Sequence, residues 1–286
     1  MAFLTLQRAM SDLTRPNRGA HARVRLALDA GNIDIWLAYY RDIEDPVLLE
    51  SMRALLNAAE RNQEQRFHFA DDRKRYLVTR ALVRTTLSRY EAIAPCDWRF
   101  GANAFGRPDI ANTDGDAAGI CFNVSHTAGL IALAVSRHAS VGVDVESLTA
   151  RPAPVGIAGH FFAPAELASL SVLAPELRPD RFFEIWTFKE AYIKARGMGL
   201  SLPLDQFSLS FPCEHSVRLA IDAQLGDDPR RWRLWQLRPT PEHLLALCAE
   251  RVSAAPPSLV LRKLVPLAGE ELCLPVVLRS SSDPAG

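Results

Sequence analysis

The order of apolar and polar positions along the chain separates strands from helices. From Ile33 to Tyr39 the pattern alternates, with Ile33, Ile35, Leu37 and Tyr39 on one face, as in a strand. Asp45-Pro46 opens a helical stretch running to about Arg66, and Asp71 and Asp72 are placed to cap a second helix from Arg73 to Tyr90. In that helix Leu77, Val78, Ala81, Leu82 and Val83 face inward, while Arg73, Arg80 and Arg84 share one edge. That edge is either a solvated basic face or an anion-binding one. Trp98 to Pro108 follows, with Gly106-Arg107-Pro108 as a turn signal, then a Gly/Asp-rich loop from Asn112 to Gly119. Short strands are expected at Cys121–Ser125, Leu130–Ser136 and Val141–Glu146, with Ser125 and His126 in the turn between the first two.

Ser147 to His160 is rich in small residues and proline and reads as a loop. Pro164 suits the first turn of the next helix. A longer helix then carries WTFKEAYIK, Trp186 to Lys194, and ends at Gly197 and Gly199. Its apolar arc contains Phe182, Ile185, Trp186, Phe188, Tyr192 and Ile193, with Lys189 inside the arc and Thr187, Glu190 and Lys194 at its edge. Strand-like runs follow at Phe207–Phe211, Val217–Ile221, Trp232–Leu237 and Leu244–Ala249. Beyond Pro256-Pro257 the tail looks peripheral, although its Leu/Val content suggests that part packs back. An internal echo, FADD then VTRALVR against FFAPAE then FKEAYIK, suggests a duplicated α+β unit. The division expected is an N-terminal extension over 1–31, subdomains over 32–140 and 141–251, and a tail over 252–286.

Composition adds little to this picture. Lys plus Arg equals Asp plus Glu at 33 each, so no global field points to nucleic acid or a membrane surface. The five cysteines, Cys96, Cys121, Cys213, Cys248 and Cys273, lack metal-ligand spacing and read as reduced, buried small hydrophobes. No apolar run approaches the roughly 18 residues of a membrane span, so a cytoplasmic protein is expected. The first 30 residues hold Arg8, Arg15, Arg18, Arg23 and Arg25, a bias shared with transit peptides but read here as a flexible extension or an upstream start.

The candidate chemistry lies in two places. In Gly142-Val143-Asp144-Val145-Glu146 alternation puts both carboxylates on one strand face and both valines on the other. Like charges drawn to about 4 Å at an effective dielectric near 20 repel by about 4 kcal/mol, a cost that a bound cation removes. Glu190 supplies a third oxygen ligand if its helix packs beside this strand, and an all-carboxylate set favours Mg²⁺ over Zn²⁺. Mg²⁺ held by few carboxylates keeps positions for phosphates, so a phosphate substrate is implied. Ser125, His126, Lys194, Arg75 and Arg107 are candidate contacts, each weak alone. The bland readings are a surface ion pair for Glu190–Lys194, a snorkelling Lys189 and a structural Ser-His.

Together FNVSHT (Phe122–Thr127), GVDVE (Gly142–Glu146) and WTFKEAYIKARGMGLSLPL (Trp186–Leu204) resemble the 4′-phosphopantetheinyl transferase superfamily. Their order and spacing resemble the Sfp-type, pseudodimeric branch from about Asn32 to Arg251. The resemblance implies two similar α+β subdomains with coenzyme A in the cleft between them. It also implies transfer of the phosphopantetheine arm to a serine of an apo acyl or peptidyl carrier protein, releasing adenosine 3′,5′-bisphosphate. By motif, Asp144, Glu146 and Glu190 would hold Mg²⁺; Ser125, His126 and Lys194 would contact phosphates; Lys189 would support the metal carboxylates. Arg75 would take a nucleotide phosphate, and Arg107 and Pro108 would line the adenine site. Glu60 and Gln63 stand where the family has lysines, leaving Arg61 or Arg66 as substitutes. Glu190, directly or through a metal-bound water, is the expected base, and Lys194 would stabilise the departing bisphosphate. The alternative is a non-catalytic homologue that binds coenzyme A or a carrier protein, and a third reading is phosphoester hydrolysis at the same Mg²⁺ site. A duplicated fold supplies both sides of the cleft, so a monomer is expected.

Overall fold

The structure is a computed structural model that describes residues 25–29, 31–112 and 119–281. Two sheets stack face to face. The first runs in the order β12-β11-β1-β5-β4, from strands β1 (Asn32–Ala38), β4 (Ile120–His126), β5 (Ile131–Arg137), β11 (Ser258–Val265) and β12 (Gly269–Cys273). The second is antiparallel throughout, β13-β9-β10-β6, from β6 (Val141–Ser147), β9 (Trp232–Thr240), β10 (His243–Glu250) and β13 (Val277–Ser280). Ile33, Ile35, Leu37, Ala132 and Ala134 of the first sheet meet Val141, Val143, Val145, Leu237 and Leu245 of the second in the central core. Two-stranded ribbons, β2 (Phe100–Ala102) with β3 (Pro108–Ile110) and β7 (Phe207–Ser210) with β8 (Arg218–Ile221), lie outside the sheets.

Helices cover the outer faces. Helices α1 (Pro46–Ala54), α2 (Ala58–Arg66) and α3 (Ala70–Leu87) belong to the first half, and α3 packs on the first sheet through Leu77, Val78, Ala81 and Leu82. Helices α4 (Ala158–Phe161), α5 (Pro164–Ser171) and α6 (Arg178–Arg196) belong to the second, and α6 covers the second sheet. The two halves share one plan: strand, helices, ribbon, two strands. In each the first strand pairs antiparallel with the last, β1 with β5 and β6 with β10. The fold is thus α+β with two similar subdomains, each helix-on-sheet layer burying one face of its sheet.

Several local expectations change. The stretch from Pro46 to Arg66 is two helices, because Asn57 starts α2 with a capping box shared with Glu60. Helix α3 begins at Ala70, so Asp71 and Asp72 lie in its first turn and do not cap it. Asp71 instead accepts hydrogen bonds from Tyr40 and Arg41. Thr187, expected at a helix edge, is buried and donates to the Phe183 carbonyl, and of the cysteines expected to be buried only Cys248 is, with Cys96 and Cys213 exposed. In the tail, the part expected to pack back is three strands within residues 258–280: β11 adds to β1, β12 follows, and β13 adds to β9. Residues 1–24 of the expected extension and 113–118 of the Gly/Asp loop lie outside the described residues. Leu26 and Leu28 are tied to the first half through the Arg89 carbonyl and the Arg137 guanidinium.

Candidate active site

Strand β6 presents Gly142, Asp144 and Glu146 to α6 and its valines to the central core. A Cβ on Gly142 would lie 2.1 Å from the Ala191 carbonyl oxygen and 2.3 Å from the Ala195 amide nitrogen. Only glycine permits that backbone-to-backbone approach. It seats the turns carrying Glu190 and Lys194 beside Asp144. Gly197, with φ 68°, then ends the helix in the left-handed region.

The two sheets also meet edge to edge. Asn123, Ser125 and Thr127, at alternate positions from β4 onward, accept hydrogen bonds from the amides of Val143, Val145 and Ser147 at 2.8, 3.3 and 3.0 Å. This ladder satisfies an otherwise open strand edge with side chains. Ser125 and His126 therefore belong to β4 itself, not to the turn after it. The Ser125 hydroxyl donates to Asp144 Oδ1 at 2.9 Å, and Lys194 Nζ donates to that same oxygen at 2.7 Å and to Ser125 Oγ at 3.0 Å. Asp144 Oδ2 is buried and has no hydrogen-bond partner among the described residues.

Asp144 is the electrostatic centre. Burial and then the Asp144 charge push Glu146 up to about 7, opposed by Arg151, Lys194 and the Trp186 side chain. Burial and Asp144 likewise raise Glu190, opposed by Lys194. Each carboxylate gains from a neighbouring positive charge, as in a site for a hard cation. Among the described residues no group of three His, Cys, Asp or Glu side chains forms a ready metal cage.

The other sequence candidates divide. His126 ends β4, and desolvation, then the Arg75 charge, hold its pKa below the usual imidazole value. Arg75 pairs with Asp72 at 2.7 Å. Thus the charges of Arg75 and Lys194 both act on His126 at the seam. Arg107 is tied into the protein: its guanidinium donates to the carbonyls of Ala195 and Val141 at 3.0 and 3.1 Å, latching the β2–β3 ribbon to the end of α6. Pro108 is exposed at the start of β3. Lys189 does not support the carboxylates. Its ammonium, 1% exposed, donates to Glu166 at 2.7 Å and to the Phe207 carbonyl at 2.9 Å.

The basic edge of α3 is divided: Arg73 is exposed and donates to the Phe67 carbonyl, whereas Arg80 and Arg84 both clasp Glu60 and Arg84 is fully buried. Glu60 is thus a structural carboxylate; Arg61, Gln63 and Arg66 are exposed. Sequence reasoning missed Asn123, Thr127, Trp186 and Glu166. The alternation N-x-S-x-T was the available signal for the first two.

The sequence is similar to that of known proteins. The family model described as "4'-phosphopantetheinyl transferase superfamily" matches residues 140–248, and "4'-phosphopantetheinyl transferase, N-terminal" matches residues 46–138. A 4′-phosphopantetheinyl transferase of Bacillus subtilis is 32% identical over 200 residues, covering 70% of this chain and 84% of the relative. The 4′-phosphopantetheinyl transferase Sfp of Bacillus subtilis (strain 168) is 29% identical over 200 residues, with the same two coverages of 70% and 84%. A putative 4′-phosphopantetheinyl transferase of Synechocystis is 30% identical over 190 residues, covering 66% of this chain and 75% of the relative. With both halves matched in order and the carboxylates and Lys194 gathered at their seam, the chain belongs to the 4′-phosphopantetheinyl transferase superfamily, as an enzyme of the Sfp type.

Proposed function

We propose that this chain transfers the 4′-phosphopantetheine arm from coenzyme A to a serine of an apo acyl or peptidyl carrier protein, with Mg²⁺, releasing adenosine 3′,5′-bisphosphate. The observation that carries the metal reading is the Asp144 carboxylate: buried, with Oδ2 unpartnered, and flanked by two carboxylates whose pKa values are raised. An all-oxygen donor set of this kind fits Mg²⁺, with Asp144, Glu146 and Glu190 as its holders. Mg²⁺, when bound, neutralises diphosphate oxygens.

The chain's own residues do the rest by position and charge. Lys194 and Arg75 supply a phosphate-facing positive side with His126 as a hydrogen-bonding contact beside them, and Trp186 and Arg151 orient Glu146. The serine oxygen forms a bond to the β-phosphorus of coenzyme A while the bond to the bisphosphate oxygen breaks. Glu190 takes the serine proton. Lys194 stabilises the charge on the departing bisphosphate. Both sides of the seam come from one chain, which fits a monomer.

The test incubates the protein with coenzyme A, Mg²⁺ and apo carrier proteins from fatty-acid, polyketide and peptide synthesis, followed by mass spectrometry. Transfer adds the arm to a carrier; a hydrolase would give free products, and a binding homologue would change nothing. Glu190→Ala and Asp144→Ala should each lower transfer by about 10²–10³-fold with the fold retained. Wild-type rates in either would remove the metal assignment.

A further inference from the structure

We propose that Lys194 is an internal counter-ion for Asp144 that competes with the metal and is handed to a substrate phosphate when metal and coenzyme A bind together. This rests on the function proposed above. Asp144 is unevenly satisfied: Oδ1 accepts from both Lys194 at 2.7 Å and Ser125 at 2.9 Å, while Oδ2 accepts from none of the described residues. Ser125 has spent its capacity, donating to Asp144 and accepting from Lys194 and the Val145 amide. It therefore holds the ammonium at the carboxylate rather than letting it swing freely.

The positive charge that Asp144 needs in the resting protein is thus supplied from α6. A divalent cation arriving alone meets this ammonium at one of its own ligands and is repelled. A diphosphate reverses the balance, because it offers the side chain of Lys194, a quarter exposed, a second anion to pair with. Metal and coenzyme A should consequently bind with positive coupling, and part of that coupling should reside in Lys194. Lys189, five residues earlier on α6, cannot play this role, since Glu166 and the Phe207 carbonyl hold it in the core.

The measurement is Mn²⁺ affinity of the full chain by electron paramagnetic resonance, with and without coenzyme A, so that turnover is not the readout. Lys194→Met should bind Mn²⁺ alone more tightly than wild type, by about 5–150-fold, the usual span of a coupling between sites. Coenzyme A should then enhance Mn²⁺ binding less in the variant than in wild type. Lys194→Arg, which keeps the charge, should stay near wild type; Lys194→Gln repeats the neutral test should the Met variant fold poorly. Equal or weaker Mn²⁺ binding by both neutral variants overturns the inference while leaving the site reading intact. Absence of Mn²⁺ binding to wild type with coenzyme A present overturns the site reading itself.

Discussion

At the scale of single residues, α6 carries two lysines with opposite fates. Lys194 is shared between Asp144 and Ser125 at a partly open seam, whereas Lys189 is sealed against Glu166, itself 0% exposed. Glu166 is fully employed: it accepts from Lys189, from the Ala163 amide and from the Leu209 amide. Burial pushes its pKa up and that of Lys189 down, each opposed by the other's charge. Removing one member of such a pair costs about 3–5 kcal/mol, because the remaining charge has no partner. Lys189→Met should show that loss in urea unfolding at pH 8. Without the lysine, the folded-state pKa of Glu166 rises further, so the folded protein holds a proton that the unfolded chain has lost. Stability then falls as pH rises through that window, and the deficit should be smaller at pH 5 than at pH 8. Glu166→Gln combined with Lys189→Met should abolish that pH dependence. A lysine inside an apolar arc is legible in sequence as one that needs an anion. Its partner is not, because Glu166 lies on another helix and looks there like an ordinary capping residue.

At the scale of elements, β1 and β6 were legible from alternation and β5 and β10 from apolar runs bounded by turns, whereas the short β2 and β3 and the tail strands were not. How one strand lies against one helix was not. The whole relation between β6 and α6 depends on Gly142, whose missing Cβ lets two backbones touch, and no periodicity announces such a contact. The seam ladder was hidden for a similar reason: Asn123, Ser125 and Thr127 bond backbone amides of another sheet, a pairing without a hydrophobic signature. Gly142→Ala tests the first point. The added methyl must displace α6, costing about 1–3 kcal/mol as overpacking. A shift near 1 Å in Glu190 and Lys194 should lower transfer about 100-fold. Thermal melting and transfer rates measured together would separate the two effects; unchanged transfer in a folded variant would mean that the helix position is not critical.

At the scale of the whole molecule, the duplication is chemically one-sided. The helix-facing positions of β6 are Gly142, Asp144 and Glu146, whereas Trp36 and Ala38 of β1 join the core beneath α3 and Asp34 is held by Tyr90 and Arg262. The internal echo made two halves legible, but not the use made of the chain beyond them. That segment completes both sheets, with β11 on β1 and β13 on β9, and its Arg279 clasps Glu184 of α6. A tail can look peripheral in sequence because a strand that adds to an existing edge needs few apolar residues of its own. Here Leu261 and Leu264, each 5% exposed, enter two different cores. Deleting 252–286 should therefore forfeit about 3–6 kcal/mol from these two side chains alone. The melting temperature should fall by roughly 10 °C or more. It would also leave β1 and β9 with unpaired edges, so light scattering should detect association. Transfer by the soluble fraction at low temperature should persist, because Asp144, Glu146, Glu190 and Lys194 all remain. A truncated chain that melts with the full-length protein would show that the three added strands contribute no stability to the two halves.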